Sequence, residues 1–363
     1  MKSNWKTCQL GDLITFQRGH DLPKTKMQGG KYPVVGSNGI IGYHNEYTTE
    51  APSITIGRSG NVGKPFLFKG RSWSHNTSLY IKEYNAVDPI FIYYFLQTLD
   101  LGNYAGGSAV PTLNRNHIHT LNVYVPTDID EQRRMGAVLS VIDDKIELNT
   151  AINENLEQQA QAIYQEMIID NSSDAWNKGK LSDIAVITMG QSPKGDTYNE
   201  NGIGTVFYQG RAEFSFRFPT RRLFTTEPKR MAEENDVLMS VRAPVGDLNV
   251  ATESCCIGRG LAAIHSKDNH QSFVLYTMYA VKKQLNIFNG EGTVFGSINK
   301  DSLNNIDITI PDKDTLDKFE GIVAPMDAVI RNNYDENCRL QSIRDSLLPR
   351  LMSGEIDVSE VKI

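Results

Sequence analysis

The chain repeats itself, so any fold it adopts must hold two copies of one frame. Trp5-Lys6-Thr7-Cys8-Gln9-Leu10-Gly11-Asp12-Leu13 returns as Trp176-Asn177-Lys178-Gly179-Lys180-Leu181-Ser182-Asp183-Ile184, and Gly19 returns as Gly190, all at an offset of 171. Further along, Gly57-Arg58 matches Val241-Arg242, Gly106 matches Gly290 and Val110 matches Val294 at 184, and Asn114 and Pro126 match Asn299 and Pro311 at 185. The second copy therefore carries extra loop residues. The matched pieces are skeleton: a strand entry, a glycine turn, an aromatic-rich helix at about 89–101 and 271–286, and a strand before proline at Leu121–Val125 and Ile306–Ile310. Self-similarity of this length predicts two modules of one fold. Because the loops differ, two sites of one kind with different targets are expected, against the plain alternative of a duplication without functional meaning.

Each copy ends in a helix with a seam at strict 4-3 spacing. The first seam is Met135, Leu139, Ile142, Ile146, Asn149, Asn153, Leu156, Ala160, Ile163 and Met167. Adding 184 gives Phe319, Val323, Met326, Ile330, Asn333, Asn337, Leu340, Arg344, Leu347 and Leu351. A seam kept this long predicts coiled coil. Antiparallel pairing sets Asn149 against Asn337 and Asn153 against Asn333, so polar meets polar, and a slipped register would strand an amide against Leu or Ile. Parallel self-association between chains also pairs Asn with Asn and stays open at this point. Two features resist the pattern. Ile142 meets Arg344, and Pro325 is expected to break or kink the second helix near its start, which would leave Phe319 and Val323 in a separate turn.

These features give an α+β chain of two globular modules and two long helices forming an antiparallel coiled coil, with pseudo-two-fold internal repetition. The expected boundaries are 1–128 for the first module, 129–170 for the first helix, 171–313 for the second module, 314–352 for the second helix and 353–363 for a C-terminal tail.

Composition excludes several classes. In 363 residues, 40% are hydrophobic and 22% charged, which argues against a disordered or disulfide-dense chain. No apolar run is long enough to span a bilayer, and Met1–Leu13 lacks an apolar signal region, so a cytoplasmic protein with no membrane partner is expected. Cys8, Cys255, Cys256 and Cys338 lack zinc spacing and are read as reduced. The formal net charge is −6, yet residues 1–128 carry +4 and 173–313 carry 0, the acid being concentrated in the two helical stretches. An anion-binding face on the modules is compatible with that segregation.

Catalytic motifs are missing. Gly57–Pro65 fails as a phosphate loop, because its GK pair is one residue late and Pro65 replaces the Ser/Thr that would hold magnesium. Phe288-Asn289-Gly290-Glu291-Gly292 has the form of a cofactor turn but follows a helix, and no Asn-Pro-Pro or Asp-Pro-Pro tetrapeptide accompanies it. His117-x-His119 is the single close histidine pair. No catalytic residue, metal site or cofactor is therefore assigned to the chain.

Binding chemistry is better supplied. Arg58, Asn61, Lys64, Arg71, His75, Asn76 and Arg115 lie in polar loops beside Trp73, and the second copy offers Gln191, Arg211, Arg217, Arg221, Arg222, Arg242 and Arg259. Arg and Asn/Gln read base edges in pairs of hydrogen bonds, and Lys positions phosphates. The stretch from Arg211 to Arg222 interleaves arginines with aromatics, which also suits an edge strand with solvated charges. Helices of about 35–40 residues are roughly 55–60 Å long, so modules at opposite ends would touch two segments of duplex DNA about one helical turn apart.

The whole arrangement resembles the specificity subunit of type I restriction-modification systems. The resemblance rests on both W-x4-L-x-D openings, on Glu131-Gln132-Arg133-Arg134 with Ile142-Asp143-Asp144-Lys145-Ile146, and on the terminal Leu348-Pro349-Arg350-Leu351-Met352-Ser353-Gly354-Glu355-Ile356. It implies target recognition domains that read a bipartite, asymmetric site in double-stranded DNA. Asn149, Asn153, Asn333 and Asn337 would then set the register of spacer helices. It also implies two modification (methyltransferase) subunits that carry S-adenosylmethionine, restriction/translocase subunits where a system has them, and no catalysis in the chain itself. The second helix departs from the pattern, with Leu316-Asp317-Lys318 where the first has Glu-Gln-Arg. The competing reading is a non-catalytic coiled-coil scaffold whose modules bind proteins.

Overall fold

The computed structural model describes residues 4–107, 111–289 and 296–362. Val110, Gly290, Glu291, Gly292 and Val294 lie outside the described residues. The chain divides into two compact units, residues 1–149 with 335–363, and residues 150–334. Each unit takes in one copy of the repeated frame and a part of both long helices.

The first unit begins with β1 (Trp5–Gln9), the short α1 (Leu10–Leu13) and β2 (Ile14–Arg18). Then come β3 (Tyr32–Gly36), β4 (Gly39–His44), β5 (Ser53–Gly57), β6 (Pro65–Phe68), β7 (Trp73–Ser74) and β8 (Ser78–Tyr84). Helix α2 (Pro89–Gln97), β9 (Ala105–Gly106), β10 (Thr112–Leu113), α3 (Arg115–His119) and β11 (Asn122–Pro126) lead into α4 (Ile129–Tyr164). One sheet has the order β2-β8-β5-β6, a three-stranded sheet has the order β4-β3-β7, and β1 pairs with β11.

Past a π-helical turn at Gln165–Asp170, the second unit repeats the frame: β12 (Asn177–Lys180), α5 (Leu181–Ile184) and β13 (Ala185–Met189). It continues with β14 (Tyr198–Asn199), β15 (Thr205–Tyr208), β16 (Leu223–Thr225), β17 (Met231–Ala232), β18 (Val237–Ser240), β19 (Leu248–Val250), β20 (Cys255–Ile257) and β21 (Leu261–Ser266). Helix α6 (Gln271–Leu285), α7 (Lys300–Asn304), β22 (Asp307–Ile310) and α8 (Lys313–Met352) complete the chain. The main sheet is β13-β21-β18-β19, matching the first unit strand for strand. The inserted sheet instead has five strands, β14-β16-β15-β20-β17.

The repeated opening motif now has a physical cause. Leu10 and Leu181 are fully buried. The carboxylates of Asp12 and Asp183 accept the backbone N–H of Gln9 (2.9 Å) and Lys180 (2.7 Å), closing each short helix at its start. The Trp5 indole N–H donates to Glu131 (3.1 Å) and that of Trp176 to Asp312 (2.9 Å), which ties the first strand of each frame to the chain entering its long helix.

Backbone hydrogen bonds correct one alignment. Arg58 N–H donates to Thr77 O and Leu113 N–H to Arg58 O, while Val241 N–H donates to Gly260 O and Ile298 N–H to Val241 O. Arg58 is thus the counterpart of Val241, at an offset of 183, and Arg242 is the counterpart of Ser59. A one-residue slip in extended chain reverses the side that a side chain faces.

Within each unit the segments of α4 and α8 run antiparallel. In the first, Asn149 donates to Asn337 Oδ1 (2.9 Å) and to Glu336 (2.7 Å), and Met135, Leu139, Leu347 and Leu351 share its core. In the second, Asn333 donates to Asn153 Oδ1 (2.9 Å), Asn153 donates to the Ile330 carbonyl (3.1 Å), and Ala160, Ile163, Val323 and Met326 pack alongside. Arg344 disturbs no layer, because its guanidinium turns to Asp143 (2.9 Å), whose other oxygen accepts the Tyr94 hydroxyl (2.7 Å).

Pro325 does not end the helix. Helix α8 runs unbroken from Lys313, with Phe319 and Val323 fully buried on its inner face. The carbonyl that Pro325 leaves without a helical partner belongs to Gly321, and both residues are exposed, so water can satisfy it. The residues after α8 fold back onto the first unit, where Val358 joins the core.

Candidate nucleic-acid interface

In the first unit, three elements of the frame enclose a cleft of about 800 Å³. Its walls include Gln17 and Arg18 at the end of β2, Arg58 after β5, and Asn114, Arg115 and His117 at α3. Asn114 accepts the Asn116 N–H (3.0 Å) and so starts the short helix that presents Arg115 and His117. Among the described residues no carboxylate lines this cleft. Arg58 is half-buried and has no ion-pair partner among the described residues. Arg115 makes a long 3.4 Å contact with the Phe16 carbonyl, and Arg18 faces exposed Asp21 at 3.7 Å. Behind them, His119 Nε2 accepts the Phe16 N–H (3.0 Å). Burial, and then the charge of Arg115, hold that imidazole below its ordinary value, which keeps it neutral.

The other candidates of the first copy do not line this cleft. Asn61 is exposed in the turn after β5, and the Lys64 ammonium lies 5.9 Å from the Phe66 ring. Arg71 is held by Glu50 (2.8 Å) and stacks over Tyr47. His75 Nδ1 meets the Thr77 hydroxyl at 3.1 Å, and Asn76 is bonded to Asp21.

In the second unit most arginines are paired. Arg211 meets Asp247 (2.8 Å), Arg221 meets Glu253 (2.6 Å), and Arg222 meets Glu213 (2.5 Å) and Glu200 (3.1 Å). The stretch from Arg211 to Arg222 forms a 3-10 turn and a loop, not an edge strand. Gln191, Arg242 and Arg259 are exposed, and neither arginine has an ion-pair partner among the described residues.

Arg217 must be removed from the interface. Its side chain is only 2% exposed and donates to Glu157 (3.3 Å), to the Tyr276 hydroxyl (3.0 Å) and to Asp327. Burial works against its charge, but Asp327 and the neighbouring tyrosines more than offset this and hold the guanidinium above its ordinary value. It braces its loop against α4 and α8, with its guanidinium committed to these partners.

Arg18 escaped the sequence reading, and His117 entered it only as part of a histidine pair. The one signal for Arg18 was its place just before Gly19, a repeated frame position, and Asn114 was visible as a repeat match without a role. Among the described residues no group of three or more His, Cys, Asp or Glu side chains is placed to hold a metal, and no helix is long and apolar enough to cross a membrane.

The family model for the type I restriction modification DNA specificity domain matches twice, at residues 2–158 and 173–341. A putative type I restriction enzyme MjaX specificity subunit of Methanocaldococcus jannaschii is 28% identical over 337 residues, covering 84% of this chain and 77% of the relative. The HindI specificity subunit of Haemophilus influenzae is 21% identical over 360 residues, with coverage of 75% and 78%. The crystal structure of a type I restriction-modification S subunit from M. genitalium shares the fold, with a TM-score of 0.70, 17% identity and 96% of each chain covered. The two matched segments, one over each copy of the frame, place the chain in a family: it belongs to the type I restriction modification DNA specificity domain proteins.

Proposed function

We propose that this chain selects the DNA sequence for a type I modification complex, reading one half-site with residues 1–128 and another with 171–313. The carrying observation is that two copies of one four-stranded frame hold different inserted sheets, three-stranded in one and five-stranded in the other. Two copies of one frame suit two modules placed on duplex DNA, and unequal inserts suit half-sites of different sequence. The chain is a specificity component without chemistry of its own, and methyl transfer from S-adenosylmethionine belongs to two partner methyltransferase subunits. Because its target is genomic DNA, we place it in the cytoplasm.

The helices are the proposed docking surface for those partners. Exposed Val141 and Leu148 lie seven residues apart on α4, as do Ile322 and Val329 on α8, giving each helix an outward apolar edge. Residues 129–170 and 314–352 then serve as spacers, with the asparagine layers fixing their register. The alternative, a protein-binding scaffold, is not favoured by the family to which the chain belongs.

Mapping of modified bases across the source genome, with and without this gene, tests the reading. Loss of methylation at one split, asymmetric motif is expected when the gene is deleted. Survival of every modified motif, in a strain shown to express the gene and its neighbours, would overturn it.

A further inference from the structure

The geometry points to a DNA-backbone phosphate site in the cleft of the first unit, built on three arginines that the second unit does not repeat, so that the two units grip DNA unequally. The inference rests on the proposed function and adds where the electrostatic hold is concentrated.

Three guanidiniums, Arg18, Arg58 and Arg115, line one cleft that has no carboxylate in its lining among the described residues. Like charges gathered at a concave surface raise the local potential and favour an anion. Elsewhere on this chain the arginines are mostly neutralised by carboxylates: Arg71 by Glu50, Arg211 by Asp247, Arg221 by Glu253, Arg222 by Glu213 and Arg344 by Asp143. Among the described residues, the acid that reaches a cleft arginine is the exposed Asp21, 3.7 Å from Arg18 and also bonded to Asn76.

The repeat supplies an internal control. Arg18 pairs with Leu79 across the sheet and Met189 pairs with Ala262, which makes Met189 the counterpart of Arg18. Val241 is the counterpart of Arg58 and is buried. Asn114 and Asn299 both start short helices by accepting a backbone N–H, so Lys300 is the counterpart of Arg115. Three arginines in the first unit thus become Met, Val and Lys in the second.

A phosphodiester fits better than a base edge. The cleft is built from the repeated frame, from β2, the end of β5 and α3, whereas the inserted sheets are what differ in strand number between the units. Contacts that position a protein on the backbone carry no sequence information, and contacts to base edges do. Frame positions suit the first task.

The test uses the full chain and a fluorescein-labelled random-sequence duplex, with affinity measured by anisotropy from low to moderate salt. The slope of log affinity against log salt changes by about 0.9 for each phosphate neutralised. R18Q/R58Q/R115Q is expected to flatten the slope by about 1–2, and K300Q in the second unit by clearly less. The corresponding triple lysine variant should keep most of the slope, since an ammonium still neutralises a phosphate although it cannot form a bidentate pair with guanine. Because Arg58 is half-buried, R18Q/R115Q, which changes two exposed residues, is measured as well and should retain the sign of the effect. A wild-type slope with no flattening in either arginine variant would overturn the cleft assignment while leaving the proposed function standing. The same holds if the lysine variant loses the slope as fully as the glutamine variant. Absence of any salt-dependent DNA affinity in the wild-type chain would instead remove the reading on which the inference rests.

Discussion

Replacement of Arg217 with methionine is expected to destabilise the second unit by about 3–5 kcal/mol, the usual loss when one member of a buried ion pair is removed. The guanidinium reaches Glu157 on α4 and Asp327 on α8, and the Tyr276 ring lies 5.5 Å away. Without it, two carboxylates and a buried hydroxyl lose their shared donor in a site that water reaches poorly. Those carboxylates are 18% and 20% exposed, so partial solvation draws the cost toward the lower end of the range. Chemical denaturation of the full chain reads the effect as a lowered midpoint for the second unit. An unchanged midpoint together with weakened DNA binding would contradict the bracing role and restore Arg217 to the interface.

A second large effect is expected in the asparagine layers. Asn149 is 1% exposed and its amide is the donor to Asn337 Oδ1. Asn149→Leu leaves that oxygen buried without this donor, at a cost of about 1–3 kcal/mol. Asn337→Leu removes the other member of the same pair. Combining both exchanges an amide pair for a leucine pair, so the double variant should lose less than the sum of the singles, by about 1 kcal/mol or more. It should also tolerate slipped registers better, because one of the two asparagine layers that penalise a slip is gone. Additive costs in the double-mutant cycle would show that the two amides do not act as a pair.

Much of this architecture was legible because it is periodic. The 4-3 seam exposed both helices, and asparagines at one shared heptad place aligned them without knowledge of the modules. The W-x4-L-x-D openings were visible as repetition, although their cause, an Asp closing a four-residue helix and an indole tied to a distant carboxylate, needs atoms. Pro325 was misjudged because the usual rule counts the lost hydrogen bond and ignores where the orphaned carbonyl points. Here that carbonyl belongs to Gly321, which is exposed. The match of Arg58 with Arg242 failed by one residue, since loop lengths between matched segments are free and hydrogen bonds alone fix which strand positions correspond. Arg217 looked like a surface cation among aromatics, while its partners lie 60 and 110 residues away in sequence. The cleft was half seen: Arg58 and Arg115 stand out as loop arginines, but Arg18 closes a strand and His117 sits in a short helix, so only the fold brings the four together.

The central claim, that two units read two half-sites whose spacing the helices set, is tested most directly by lengthening both helices. One heptad inserted at paired positions in α4 and α8 keeps the seam in phase and adds roughly 10.5 Å of helix. Bases modified in cells carrying the altered chain are then mapped. The account predicts the same two half-sites with a gap wider by about three base pairs, from the rise of DNA per pair. Modification of the original motif at its original gap would contradict it.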